Sequence, residues 1–392
     1  MDIATSFNRD LTGHNIGSRT SVKEITINMN RVNSLTSLRF FAALGVVLFH
    51  FPIHFTGTLG KVYELLAAHG YTGVTFFFIL SGFLLASIYS EKPLVDRSSL
   101  SKFFKKRFIR IVPTYWFVLV IMLFFLRGQL GMAKEQGLLP ERLVDVGLHL
   151  TLLQAWVPAS PFRLHWNEPS WSISVEAFYY LLFPILLILV CKTKNSILKP
   201  ILGLTITAAL HGLIFLIRPG TWNQAPTGTA RDILNLPLSS LTIFAFGMFG
   251  AMLVKELIKS DLKPFVWKIA FWLGIGMIIA FAIINQELNP FAQILLCIGM
   301  TSIVCGASQC RGTVEKFLSL PILLVLGEAS YALYLIQRPT DEWLKFFWKN
   351  PSSMNLYHST VIVLSVLASV AIWHWFEKPV GRFLTKKFVK DS

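Results

Sequence analysis

The sequence predicts an all-α membrane protein, a polytopic bundle of about ten transmembrane helices with one further re-entrant or interfacial helix. Three observations carry that reading. Hydrophobic residues make up 54% of the 392 residues and charged residues only 15%, against roughly a quarter charged in soluble domains. Mean hydropathy is +0.58. Apolar runs able to approach a hydrocarbon core of about 30 Å recur at 38–55, 71–89, 108–126, 170–191, 200–217, 236–254, 267–284, 291–308, 322–337 and 357–376. With 33 Phe and 11 Trp to bury, the composition also excludes a disordered chain.

Taken in order, residues 1–37 are polar and of mixed charge, unlike a secretory signal peptide, and read as a cytoplasmic segment. The first span holds Arg39 and His50, and the second holds Ser81 in an otherwise apolar run. Between the second and third spans, 90–107 (SEKPLVDRSSLSKFFKKR) is the most basic stretch and fits a stop-transfer loop against anionic lipid. The third span opens on Arg107 and Arg110. Segment 143–157 (LVDVGLHLTLLQAWV) is short and carries Asp145 and His149, and the turn-rich 158–169 leads into the fourth span with Trp171 and Glu176. The fifth to eighth spans are almost wholly apolar, the ninth contributes Glu328, Ser330, Tyr331 and Tyr334, and 377–392 is a short basic tail.

Lys and Arg prefer cytoplasmic loops, so their distribution tests the arrangement. With 143–157 not spanning and the N-terminus inside, the inside segments hold 24 Lys and Arg and the outside segments 10. If 143–157 spans, the counts become 16 and 18, and the asymmetry is lost. Ten spans in the cytoplasmic membrane, with both termini cytoplasmic, are therefore expected. The same split explains the formal net charge of +15 without nucleic acid as a partner. The four cysteines form no CxxC pair, so neither a disulfide framework nor a zinc site is indicated. His50 and His54 at i and i+4 lack a third ligand at a telling spacing, and no metal is expected.

Ionisable residues inside the spans are costly and point to function. His50 lies eleven residues after Arg39, which is about 20° from three full helical turns, so both project from one helix face about 16 Å apart. His54 follows at i+4. Glu176 is expected about 9 Å below the outer surface and His50 about 7 Å below it. An acid and an imidazole at matching depth should pair, because each alone carries a large desolvation cost. Glu377 and Arg382 are expected to pair at the cytoplasmic exit of the last span.

Six segments resemble, in order, those of the acyltransferase 3 family of integral membrane acyltransferases. LRFFAALGVVLFHF is similar to its Arg-x10-His opening, and GVTFFFILSGFLL to its Gly-x-x-x-Phe-Phe-x-Leu-Ser-Gly-Phe segment. RFIRIVPTYW (Arg107 to Trp116) resembles its Arg-x-x-Arg-x-x-Pro-x-Tyr motif, and PSWSISVEAFYYLLFP its Trp-Ser-Leu-Ser-Val-Glu block. SYALYLIQRP and FEKPVGRF look like two later elements, so the matches run from Leu38 to about Arg382. Relatives often carry His where Gln337 stands, and no catalytic role is transferred to that position.

The resemblance implies an acyltransferase 3-like domain over 38–376. It implies transfer of an acyl group from cytoplasmic acyl-CoA, with acetyl-CoA the expected donor substrate and no permanently bound cofactor. The implied acceptor is a hydroxyl of a sugar, glycan or glycolipid. Some relatives carry a fused extracytoplasmic hydrolase-like domain. This sequence ends 16 residues after its last span, so the reaction is expected to be completed within the bundle. Such chemistry needs a base, for which His50 is suited, with Glu176 orienting its ring and Arg39 beside it. An acyl-His intermediate is the alternative. Ser81, Tyr331 or backbone N–H groups are candidate donors to the oxyanion, and Trp171 and Tyr334 candidate contacts to substrate. Arg107, Arg110 and Arg39 are the candidates to hold the CoA phosphates. The rival reading is a secondary transporter or flippase using the same charges, but such proteins often show internal repeats and none is present.

The 24-to-10 charge split sets a sidedness test. Single cysteines at Ser98 and Gln136 should react with an impermeant thiol reagent from opposite sides, Ser98→Cys from the cytoplasm and Gln136→Cys from outside. Labelling of both from one side would overturn the ten-span arrangement.

Overall fold

The computed structural model describes residues 29–91, 94–157, 166–191, 196–217, 237–260, 263–284 and 289–390, and these form helices and turns with no strand among them. The expected N-terminal segment up to residue 28, most of 158–169, and the last two residues of the basic tail lie outside the described residues.

The first helix, α1 (Met29–His50), ends on His50 itself. Phe51 donates its N–H to Val47, but Pro52 follows, and the residue before a proline is disfavoured in helical geometry. His54 therefore does not continue the face of His50 as its spacing suggested. Its backbone N–H bonds instead to Asn355 Oδ1 at 2.9 Å, and its ring sits 3.4 Å from Glu64. After α2 (Gly57–Ala68) and a 3-10 turn at Gly70–Thr72, the chain enters α3 (Gly73–Tyr89).

Helix α4 (Arg97–Ile121) starts at Asp96, whose carboxylate accepts from the Ser99 N–H at 2.7 Å. That bond holds the exposed Asp96 carboxyl below the usual carboxylate range. A bend of 61° at Met122 separates α4 from α5 (Leu123–Glu135). Helix α6 (Leu139–Leu150) is only 12 residues, about 18 Å long, too short to cross a hydrocarbon core. It is inverted relative to a soluble helix. Asp145 and His149 face inward, 2.9 Å apart, while Leu143, Val144 and Leu150 face outward. The chain then turns at Leu152, which has φ 59°.

Helices α7 (Trp171–Cys191), α8 (Leu198–Leu216), α9 (Leu241–Lys259), α10 (Pro264–Ile284) and α11 (Pro290–Gln309) are long and apolar. A short α12 (Thr313–Leu318) leads to α13 (Pro321–Glu328) and α14 (Ser330–Phe347), which are separated at Ala329. Helix α15 (Met354–Ile372) runs through a π turn at Trp373–Glu377 into α16 (Lys378–Thr385).

Among the described residues, eight helices are long and apolar enough to cross a membrane, or nine if the bent pair α4–α5 is one span. The difference from ten falls on 322–337. There the expected single span is two pieces, and the second carries Arg338, Asp341, Glu342 and Lys345 on its later turns. Ser330 to Gln337 are all buried, so this helix is shielded by protein and needs no lipid-facing surface.

Small residues set the closest helix approach. A Cβ on Gly82 of α3 would run into the Phe244 carbonyl of α9, and one on Gly247 of α9 into the Ile79 carbonyl of α3. Backbones in this contact gain dispersion and polar interaction that larger residues would forbid. Gly247→Leu should therefore lower stability by about 1–3 kcal/mol through overpacking. Gly276→Leu, where an added Cβ meets nothing within 4 Å, should be near neutral in the same thermal-unfolding measurement in detergent.

Candidate active site

Among the described residues, most of the sequence-predicted site residues fall in two interior polar clusters. One gathers around the cationic side chains of α1 and α4. Arg110 Nη1 lies 3.2 Å from Glu377 Oε1 of the π turn, with the arginine side chain 25% exposed and the glutamate 7%. Its guanidinium also lies 5.9 Å from the Tyr331 ring centroid. Arg39 lies in the electrostatic field of Arg110, Glu328, Glu377 and Glu176. One helical turn before Arg110, Arg107 sits over the rings of Tyr180 at 5.6 Å and Phe103 at 5.9 Å, a cation–π arrangement. Arg107 Nε and Glu377 Oε2 are buried without a hydrogen-bond partner, so the cluster keeps unused donor and acceptor capacity.

Glu176 joins this cluster rather than His50. Its Oε1 accepts from Tyr180 OH at 2.5 Å and from Ser81 Oγ at 3.3 Å. The expected Glu176–His50 pair is therefore not among the contacts formed. Matching depth along two helices had suggested it, but depth does not say which faces meet. The expected Glu377–Arg382 pair gives way to Glu377–Arg110, a contact across 267 residues that local spacing could not reveal.

The second cluster surrounds His50. Its Nδ1 lies 3.1 Å from Gln337 Oε1 on α14. Gln337 Nε2 donates to the Tyr334 carbonyl at 2.9 Å. The Tyr334 hydroxyl donates to Pro169 O at 2.8 Å and lies 2.8 Å from Ser172 Oγ. Asn167 Nδ2 donates to Leu335 O at 3.1 Å. Trp171, at the start of α7, packs edge-on against Phe78 at 6.2 Å and makes its contact there rather than with the imidazole.

Helix α14 links the clusters. Tyr331, Tyr334 and Gln337 follow at i, i+3 and i+6, each step turning about 60° back around the axis, so they wind about 120° around the helix while rising about 9 Å. Tyr331 belongs to the arginine cluster and donates its hydroxyl to Ile111 O of α4 at 2.8 Å, while Gln337 reaches His50. Two candidate oxyanion donors, Ser81 and Tyr331, thus already have acceptors. The residues that the sequence reading missed are Tyr180, Glu377 and Gln337. The signal for Gln337 was present, a polar side chain continuing the Tyr331–Tyr334 spacing in an apolar run. Among the described residues no group of three or more His, Cys, Asp or Glu could hold a metal ion.

Residues 32–374 match the acyltransferase 3 family profile, described as an acyltransferase domain. The acyltransferase MdmB of Streptomyces mycarofaciens is 28% identical over 320 residues, 78% of this chain and 78% of that protein. The O-acetyltransferase OatA of Staphylococcus aureus is 24% identical over 375 residues, which are 90% of this chain and 58% of OatA. The chain thus spans little more than half of OatA. No solved structure gives a significant match.

The Arg110–Glu377 pair sets a direct energetic test, because removing one member of a buried pair leaves the other charge uncompensated. Arg110→Gln and Glu377→Gln should each destabilise the protein. The double variant should lose less than their sum, giving a coupling of about 0.5–3 kcal/mol in a double-mutant cycle read by unfolding. Additive losses would mean that the pair contributes nothing.

Proposed function

The chain belongs to the acyltransferase 3 family, and on that premise we propose that it moves an acetyl group from cytoplasmic acetyl-CoA to a sugar hydroxyl of a glycan or glycolipid, with His50 as the base. It is a multi-pass membrane protein and an O-acyltransferase. In the proposed orientation the arginine cluster faces the cytoplasm and His50 the outer half of the membrane, with both termini cytoplasmic. The observation that carries the reading is the buried stretch of α14 from Tyr331 to Gln337, whose first residue contacts the cationic cluster and whose last contacts His50 inside one bundle.

The donor's phosphates would meet Arg107 first. Arg110 is already neutralised by Glu377, whereas the described contacts of Arg107 are aromatic faces and its Nε–H has no acceptor. A guanidinium with free N–H groups suits phosphate oxygens. The long pantetheine arm would then carry the thioester along α1 and α14 toward His50. There the imidazole takes the hydroxyl proton as the acceptor oxygen bonds to the thioester carbonyl carbon. The C–S bond breaks as the tetrahedral adduct collapses, and the CoA sulfur leaves with the proton returned by the imidazolium. Ester and free CoA thiol are the products, and no atom is unaccounted for.

Glu176 has a different proposed part from the one its depth suggested. Held by Tyr180 and Ser81, it offsets the positive charge of Arg39 and Arg110 from the side of α7. Trp171, Tyr334 and Ser81 remain proposed as lining for substrate.

The test separates donor binding from chemistry, using a non-transferable acyl-CoA analogue and purified protein in nanodiscs. Arg107→Gln should weaken binding and flatten its salt dependence, because phosphate contacts are screened by ions. His50→Ala should leave binding nearly unchanged while transfer falls by about 10²–10⁴-fold, the usual contribution of a general base. Wild-type binding by Arg107→Gln together with lost binding by His50→Ala would overturn the assignment.

A further inference from the structure

The amide of Gln337 is oriented by its own surroundings. One end lies 2.9 Å from the carbonyl oxygen of Tyr334, a group that only accepts. The amide nitrogen must therefore occupy that end, and the carbonyl Oε1 faces His50 Nδ1 at 3.1 Å. A carbonyl cannot donate either, so a hydrogen bond across this gap requires the proton to sit on Nδ1. Neutral imidazole carries a single N–H, which leaves the lone pair on Nε2.

We infer that Gln337 is the positioning residue for His50: its fixed carbonyl keeps the ring proton on Nδ1 and turns Nε2 toward the acceptor hydroxyl. The inference rests on the proposed role of His50 as base and adds which nitrogen acts and what selects it.

The support behind Gln337 is built for this purpose. Gln337 is 1% exposed, so no water competes for its amide. The turn of α14 before it is tied to the segment preceding α7 at two points, Tyr334 to Pro169 and Asn167 to Leu335. His50 is the last residue of α1, where the ring could swing with the chain end if nothing held it. The partner is also uncharged. Among the described residues no carboxylate pairs with His50. The titratable groups facing this end of α1 include Tyr334 of α14, Tyr71 and His69 at the 3-10 turn, His54 with Glu64 of α2, His358 of α15, whose Nδ1 bonds to Pro52 O at 2.6 Å, and Tyr357 of α15, which packs with Phe51 and donates to Asp341 of α14 at 2.9 Å. Glu328 of α13 lies toward the other end, in the field of Arg39. An amide acceptor orients the ring without adding a negative charge to it, which a carboxylate in the same place would do.

Three variants test this in nanodiscs, with kcat and KM measured across pH. Gln337→Leu keeps the bulk but removes the acceptor, so kcat should fall about 10–100-fold with KM little changed, a part of the base's full contribution. Gln337→Glu keeps an acceptor and adds charge, so kcat at high pH should stay within a few-fold of wild type while the acid limb of its pH profile moves upward. A merely structural role would move neither the limb nor the split between kcat and KM. With Gln337 unchanged, the ¹⁵N spectrum of His50, identified by difference from His50→Ala, should show a protonated Nδ1 and a lone-pair Nε2. A wild-type kcat for Gln337→Leu, an unmoved acid limb for Gln337→Glu, or the opposite tautomer in the spectrum would each overturn the inference. Retained transfer by His50→Ala would instead overturn the role of His50 as base.

Discussion

Charge inside an apolar bundle has to be answered by charge, and the rest of this structure is arranged around that constraint. Moving a guanidinium out of water costs several kcal/mol even after relaxation. Arg39 and Arg110 both enter the bundle, and Glu377, Glu328 and Glu176 converge on them from the π turn, α13 and α7. Those acids lie far apart in the sequence. Once the arginines are committed to the interior, the packing of α1, α4, α7, α13 and the α15–α16 junction against one another follows from the need to bring the counter-charges in.

Helix α14 is the element that the constraint makes possible. Buried from Ser330 to Gln337, it can carry Tyr331, Tyr334 and Gln337 inside the bundle and Arg338, Asp341, Glu342 and Lys345 on its later turns, where ion pairs between 2.7 and 3.7 Å satisfy them. A lipid-facing helix could not tolerate that sequence. Its Tyr331 hydroxyl reaches Ile111 O of α4 and its Gln337 amide reaches His50 of α1, so the helix meets both elements. The same reasoning explains α6, whose Asp145 and His149 turn inward while its leucines face outward.

Much of this was legible in the sequence, because the membrane imposes long apolar runs and a basic side. The all-helical bundle, the half-length helix at 143–157, and the family all follow from runs and motifs in order from Leu38 to Arg382. Which side chains touch was far less legible. A helical wheel puts Arg39 and His50 on one face but cannot say that Pro52 ends the helix before His54. Depth put Glu176 level with His50, yet Glu176 bonds Tyr180 four residues along its own helix and Ser81 on α3. Glu377 meets Arg110 through a tertiary fold that no local spacing encodes. No catalytic role transfers to Gln337 from relatives that often carry His there, and only the fold shows its amide against His50, one turn after Tyr334 on α14.

The two ends of the candidate site therefore obey opposite electrostatic rules, and the difference fits what each would have to do. At the arginine end, acidic groups offset fixed cations, while Arg107 keeps an unsatisfied N–H. A ligand bringing negative charge would find a receptor there whose background charge is already balanced. At the His50 end the immediate partner is a neutral amide, and the rings beside the imidazole are Phe49 and Phe51. A carboxylate placed against the imidazole would stabilise its protonated form, and a base that holds its proton too firmly is slow to give it up. Separating the two environments by about 9 Å of rise and about 120° of turn along α14 lets one bundle keep a strongly charged docking region and a weakly charged reaction site without either setting the properties of the other.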